Sequence, residues 1–398
     1  MTASTTHLGE RRNAALERAM AMGRHPTRRA VTPSGPPPRT FYLIAATAFV
    51  LTLLGLVMVL SATSISEVHK GHSPFRIFGR QLMWAAFGGM GLLAAVKLPL
   101  RTLQRLAMPL FIGVLALMLL PFVPHLGTDV NGASSWVAIG NITFQPSEFM
   151  KLALLVVAAA TLADLQRDPK PLGATFGRVM VFVALACGIC VVQGDLGSAI
   201  VIAAIGMAVV FLAGVPMLPI VATSALGVLL GFLYALTSQR RRNRFVAFLD
   251  CAGSKSDLCY QTSQAMIATA QGGITGSGVG QGHSKLGELV PLAHSDFIFS
   301  VVAEELGMIG VIAVLGGFLV LSWAGVKAAM GSSQPFNRLL AGGIVAWFVL
   351  QAFINVGGVT GLMPVTGLTL PFFSAGGSSL FVTLVASGLL LNVARNVR

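Results

Sequence analysis

The run F-Y-L-I-A-A-T-A-F-V-L-T-L-L-G-L-V-M-V-L-S-A, from Phe41 to Ala62, holds 22 residues without an Asp, Glu, Lys, Arg or His. At 1.5 Å per residue it covers about 33 Å as a helix, enough for the roughly 30 Å hydrocarbon core of a bilayer. Backbone polar groups in lipid must be satisfied within the segment, so such a run is helical. Nine more apolar runs follow, near 80–98, 106–124, 147–163, 178–193, 197–213, 217–238, 297–323, 339–359 and 378–394. The fifth and sixth spans are separated only by Gln193-Gly194-Asp195-Leu196.

Composition agrees. Hydrophobic residues make up 55%, charged residues 10%, and mean hydropathy is +0.79, a balance that cannot cover one soluble core of 398 residues with a polar surface. The expected fold is an all-α polytopic membrane protein of about ten transmembrane helices, residues 41–398, with a long extracytoplasmic loop, 239–296, between helices 7 and 8. Residues 1–40 hold no apolar run and carry Arg-Arg pairs with a Ser-Gly-Pro-Pro-Pro stretch. They read as a disordered basic cytoplasmic tail, serving as a topology signal or attracted to anionic lipid or a partner. No cleavable signal peptide is expected, because the first apolar run starts late and is long enough to span.

Of the 27 Lys and Arg, 17 lie on the side of the N-terminus, nine lie opposite, and Lys151 falls within a span. Cytoplasmic loops carry the excess of Lys and Arg, so both termini are expected inside. Arg240, Arg241, Arg242 and Arg244 oppose this, in a loop of about 60 residues, near the length at which the rule stops applying. In that loop Cys251 and Cys259 can close a hairpin by a disulfide or remain free. Cys187 and Cys190, inside a span, read as packing residues.

Four carboxylates fall within or between spans and need partners or a wet cavity: Glu148, Asp195, Glu304 and Glu305. Glu148 has Lys151 three residues on, so an ion pair is expected, with each other or with Asp195. Asp195 sits where it can cap the next helix. Asp296, in H-S-D-F-I-F-S (His294 to Ser300), stands where the long loop enters an apolar run. There it can cap the helix or act as an accessible carboxylate at the membrane surface. If the helix includes it, Glu304 lies about 80° around and roughly 12 Å deeper, in the same cavity, and Glu305 points nearly opposite. Before it, Gly272 to Gly282 holds six glycines in eleven positions, a hinge or a place of close backbone approach to a ligand.

Six motifs in one order carry a resemblance: Q-P-S-E-F-M-K (Gln145 to Lys151), Q-G-D-L-G-S-A (Gln193 to Ala199), R-R-x-R-x-x-x-F-L-D (Arg241 to Asp250), Y-Q-x-x-Q-A from Tyr260, H-S-D-F-I-F-S-V-V-A-E-E-L-G, and G-L-M-P-V-T-G-L-T-L-P-F-F-S-A-G-G-S-S-L ending at Leu380. Together they resemble the SEDS family of peptidoglycan polymerases, over everything after the tail. S-A-G-G and the V-T-G before it look more like the division branch than the elongation branch. The sequence departs from the family at N-G-A-S-S-W, which lacks basic residues before the tryptophan, and at Leu292 and Ser295.

The resemblance implies a bacterial inner-membrane enzyme that polymerises lipid II, an undecaprenyl-pyrophosphate disaccharide peptide, into β-1,4 glycan at the outer face during septal wall synthesis. It implies Asp296 as the catalytic carboxylate. It also implies substrate contacts from Arg241, Arg244, Gln261, Gln264, Lys285, His294, Glu304 and Ser378, with Glu148, Lys151 and Asp195 lining a cavity. A class B penicillin-binding transpeptidase and other division proteins are the implied partners, and no nucleic acid is. The chemistry needs a general base for the acceptor hydroxyl, which a carboxylate with a raised pKa supplies. It also needs positive charge at the leaving pyrophosphate, from Arg240 to Arg244, Lys285 or a divalent cation such as Mg or Mn. Rival readings are a lipid II flippase working by alternating access, an elongation polymerase, and a non-catalytic scaffold.

Overall fold

The computed structural model describes residues 36–130, 133–140, 142–165, 172–239, 242, 248, 257–282 and 294–397. Its helices are α1 (Arg39–His69), α2 (Arg76–Lys97), α3 (Leu100–Arg105), α4 (Ala107–Leu117), α5 (Pro146–Leu165), α6 (Leu172–Val192), α7 (Leu196–Leu212), α8 (Met217–Leu236), α9 (Asp257–Gln271), α10 (Ile298–Gly331), α11 (Pro335–Val359) and α12 (Gly377–Arg395). Among them seven are long and apolar enough to cross a membrane, and 107–122 and 196–212 are shorter apolar helices. The chain is a polytopic helical membrane protein. α2 completes the ten runs read from the sequence; it carries Arg76, Arg80 and Lys97 and packs along α12.

Proline stands at the start of α1, α5, α8 and α11, where its missing N–H leaves no helical bond unmade. α5 is the central post, in contact with α4, α6, α7, α11 and α12. Its apolar window is 83% buried, against 6% for α8, whose contacts among the described helices are mainly with α7. Lipid is as apolar as leucine, so the bundle is held by close packing and by hydrogen bonds between helices. Asn392 on α12, for example, donates to the carbonyls of Ala95 and Leu98 at 2.8 and 2.7 Å, satisfying the end of α2.

The longest overruns of the apolar windows are in α1 and α10. α1 continues past residue 62 to His69, and α10 past 323 to Gly331, where Lys327 lies 4.7 Å from the Trp323 ring. Hydropathy ends where charge begins, whereas a helix continues while its backbone bonds are made and its polar side chains find partners: Glu67 is buried, with His72 Nδ1 at 3.6 Å and Arg76 at 3.9 Å.

The fold is not wholly helical. Between the third and fourth apolar runs stands a three-stranded antiparallel sheet, β1 (Gly127–Val130), β2 (Ala133–Ile139) and β3 (Ile142–Phe144), in sequence order. Val137 pairs with Gly127 on one side and Phe144 on the other. Ser134 N donates to the Gln193 carbonyl, and Gln193 Nε2 to the Met118 carbonyl, so the sheet is tied to the ends of α6 and α4.

Candidate active site

The segment before α10 is a turn, His294 to Phe297, and three successive carbonyls hold it. His294 O accepts from Ala375 N at 2.9 Å, Ser295 O from Ser374 Oγ at 2.6 Å, and Asp296 O from Asn355 Nδ2 at 2.9 Å. Each holder is fixed in turn. Ser374 Oγ accepts from Leu370 N at 2.7 Å, its carbonyl takes Gln81 Nε2 of α2 at 3.0 Å, and Asn355 Nδ2 also reaches Leu368 O at 2.7 Å. Asp296 is thus placed by its backbone, which fixes where its carboxylate can reach.

That carboxylate does not cap the helix. α10 begins at Ile298 with Phe297 in the capping position, and no side chain caps it. Asp296 is partly exposed and lines a small cleft with Asn355, Gly358, Val365, Thr366 and Gly367. Gly367 has φ +76°, and a Cβ there would lie 3.7 Å from Asp296 Oδ2, so the 366–368 backbone passes close to the carboxylate.

His294 is partly buried, and burial holds its ring below the ordinary histidine pKa, with Lys70 and Arg80 adding to the effect and Glu67 opposing it. Positive charge from the 70–80 segment thus reaches this turn.

Glu304 does not share the cleft. Because 294–297 is a turn, the helical phase assumed from Asp296 does not hold, and Glu304 is buried beside Gly282, where a Cβ would lie 2.9 Å from its Oε2. Here α10 breaks: Gly307 has φ +63° and ψ −159°. A break exposes carbonyls before it and N–H groups after it. The glycine-rich segment supplies both sets of partners. Ser277 N and Gly278 N donate to Glu304 O and Glu305 O at 2.9 and 3.0 Å, while Met308 N and Ile309 N donate to Gly273 O and Ile274 O at 2.9 and 3.3 Å. The glycines are there because two backbones lie in contact: a Cβ on Gly276, φ +78°, would overlap the Glu305 carbonyl. Glu305 locks the joint, accepting from Ser61 Oγ of α1 at 2.8 and 2.6 Å and from Gly280 N at 3.1 Å.

Behind the cleft runs a buried polar line. Lys151 Nζ bonds Glu148 Oε1 at 2.7 Å and Gln351 Oε1 at 3.1 Å; Gln351 Nε2 continues to Thr369 O at 2.8 Å. The expected Glu148–Lys151 pair therefore forms, and Asp195 stays out of it. Asp195 caps α7 through Ser198 N at 3.0 Å and takes Gln145 Nε2 at 2.8 Å and Ser147 Oγ at 3.3 Å. Ser378 is buried and accepts from Gln145 N at 3.2 Å, a tie between α12 and the start of α5. Gln261 and Gln264 are partly buried on α9, which packs on α10. Arg241, Arg244, Lys285 and Cys251 lie outside the described residues; Cys259 is buried and disulfide-bonded.

Asn355 and Gln351 carry no role in the sequence reading, and Ser374 and Thr366 enter it only within S-A-G-G and V-T-G. The usable signal was Q-x-x-x-N at Gln351 and Asn355, two amides one turn apart in an apolar span, where polar groups must find partners.

Comparison with known proteins bears on this arrangement. The chain is 40% identical over 358 residues to a probable peptidoglycan glycosyltransferase FtsW of Geobacter metallireducens, covering 89% of this chain and 95% of that one. It is 36% identical over 362 residues to the protein of the same description in Mycobacterium tuberculosis, covering 91% and 69%. A chain of a peptidoglycan synthase complex, solved to describe coordination of polymerization and crosslinking, superposes with a TM-score of 0.72 at 29% identity, over 89% of this chain and 97% of that one. The rod shape determining protein RodA of Thermus thermophilus superposes with a TM-score of 0.63 at 29% identity, over 89% and 95%. Residues 41–398, which hold the clamped Asp296 turn and all ten apolar runs, match the cell cycle protein family of FtsW, RodA and SpoVE, and the chain belongs to that family.

Proposed function

We propose that this protein is a peptidoglycan glycosyltransferase that polymerises lipid II, with Asp296 as general base. The observation that carries the proposal is a carboxylate at the mouth of a cleft, set by three backbone bonds and not spent on capping the helix. In the reaction the acceptor sugar's hydroxyl oxygen forms a bond to the donor's anomeric carbon as the bond from that carbon to the pyrophosphate breaks. The hydroxyl proton passes to Asp296, and the lipid pyrophosphate leaves with the electron pair. Attack from the face opposite the leaving group inverts an α-linked donor to the β-1,4 product. A positioned base contributes about 10²–10⁴-fold to such a step.

The lipid anchor keeps the reacting carbon at the outer membrane boundary, so this reading puts both termini in the cytoplasm and the cleft outside. The leaving group's charge is met by Arg241, Arg244 and Lys285, and by the positive segment near His294. Among the described residues no three His, Cys, Asp or Glu side chains converge on one point. A Mg or Mn ion fits this reading as a companion of the substrate's pyrophosphate, and no step depends on it. A class B penicillin-binding transpeptidase is the proposed partner, and septal synthesis the proposed setting; the relatives described as FtsW and the synthase complex support both.

The test is polymerisation of labelled lipid II by the purified chain, with and without the transpeptidase. Glycan ladders are expected. Movement of lipid II across vesicles without any glycan would support the flippase and overturn the polymerase.

A further inference from the structure

Asn355 is 4% exposed and lies one turn from the outer end of α11. Both of its amide hydrogens are used, on Asp296 O and on Leu368 O. That fixes the amide's orientation, since the reverse would set Oδ1 against two carbonyl oxygens. Oδ1 itself is buried and accepts no hydrogen bond. A buried acceptor left unmatched is costly, and one in a native structure calls for an explanation. Asn355 lines the same cleft as the Asp296 carboxylate. The rest of the lining supplies no answering group from the 351–359 side, where Ile354, Gly358 and Val359 are apolar.

We propose that Asn355 contacts the substrate directly: its Oδ1 accepts a hydrogen bond from a hydroxyl of the acceptor sugar next to the one whose proton Asp296 removes. The proposal rests on the polymerase reading and deepens it. One side chain then serves two ends. Its donors set the backbone of the base and of the 366–368 segment, and its acceptor sets the sugar, so the base and the attacking hydroxyl are located from a common atom group. A sugar presents adjacent hydroxyls that donate, and an amide oxygen with no other partner selects for one of them. A site built to bond a hydroxyl rejects the analogue that lacks it.

The test is a single glycosyl transfer from a lipid-linked donor to lipid II as acceptor, compared with acceptors whose terminal N-acetylglucosamine is 3-deoxy or 6-deoxy. The wild type is expected to lose about tenfold in kcat/KM on one of the two analogues, as for one hydrogen bond between uncharged groups. Asn355→Ala should lose at least that on the parent acceptor and nothing further on the same analogue. Equal rates of the wild type on all three acceptors would overturn the proposal, as would a further tenfold loss by Asn355→Ala on each analogue. Where the alanine variant does not fold, the comparison of the wild type on the three acceptors decides the proposal by itself. Absence of transfer by the wild type on the parent acceptor would instead overturn the polymerase reading beneath it.

Discussion

Replacing Glu148 by Leu and Lys151 by Met, singly and together, probes the buried line behind the cleft. Lys151 is wholly buried, with Glu148 Oε1 at 2.7 Å. Among the described residues its only other acceptor is the neutral Gln351 Oε1 at 3.1 Å, which already takes Trp347 Nε1 at 2.7 Å. Glu148→Leu therefore leaves a buried cation on a shared amide oxygen, and Lys151→Met leaves a buried carboxylate whose Oε2 already lacks a partner. Removing one member of such a pair costs about 3–5 kcal/mol. The double replacement keeps the volume and removes both charges, and Gln351 keeps its tryptophan, so its loss should stay within about 2 kcal/mol. The coupling between the sites is then about 4 kcal/mol or more. Thermal and chemical unfolding of the four detergent-solubilised proteins measures it. Strictly additive losses would refute the argument, for the two residues would then act separately.

Gly276→Ala puts a methyl group into the Glu305 carbonyl at a positive φ, whereas Gly273→Ala meets open space and pays only its backbone strain; the first should lower the melting temperature clearly more, and equal shifts would discount the plugged helix break. His294 binds its proton more weakly folded than unfolded. The unfolded chain then holds more protons below about pH 6.5, so this contribution to stability falls as pH drops through that region and is complete above it. His294→Gln should flatten the slope between pH 5 and 7 in thermal melts. A cysteine introduced at Arg241 should react with an impermeant reagent from outside the cell; labelling only from the cytoplasmic side would overturn the topology and with it the pyrophosphate role of Arg241 and Arg244.

The helices were legible because lipid leaves the backbone few alternatives. A charge-free run from Phe41 to Ala62 can hardly be anything else, and the Glu148–Lys151 spacing named its own partner. Asp195 as a cap was readable from the four-residue gap between two spans. Features that join distant segments were not readable. The sheet was hidden because β2 alternates weakly: in A-S-S-W-V-A-I only Ser135 and Val137 are buried. The place of Glu304 was missed because a helical phase was carried through Asp296, which is in a turn. The role of the glycines could not be seen without the break at Gly307, 25 residues beyond Gly282. Asn355 stands out less than a carboxylate in an apolar span because its amide carries no charge, although a buried amide is nearly as demanding of partners.

If the Asp296 carboxylate removes the acceptor proton, an isosteric amide in its place stops the reaction. Asp296→Asn keeps the volume and leaves untouched the backbone carbonyl held by Asn355. Polymerisation of labelled lipid II by this variant, beside Asp195→Asn as a variant altered only in the cap and tie of α7, is the measurement. The account predicts that Asp296→Asn loses at least about a hundredfold in rate while its melting temperature and transpeptidase binding stay near wild type, and that Asp195→Asn loses stability ahead of activity. Glycan synthesis by Asp296→Asn at a rate near wild type would contradict it.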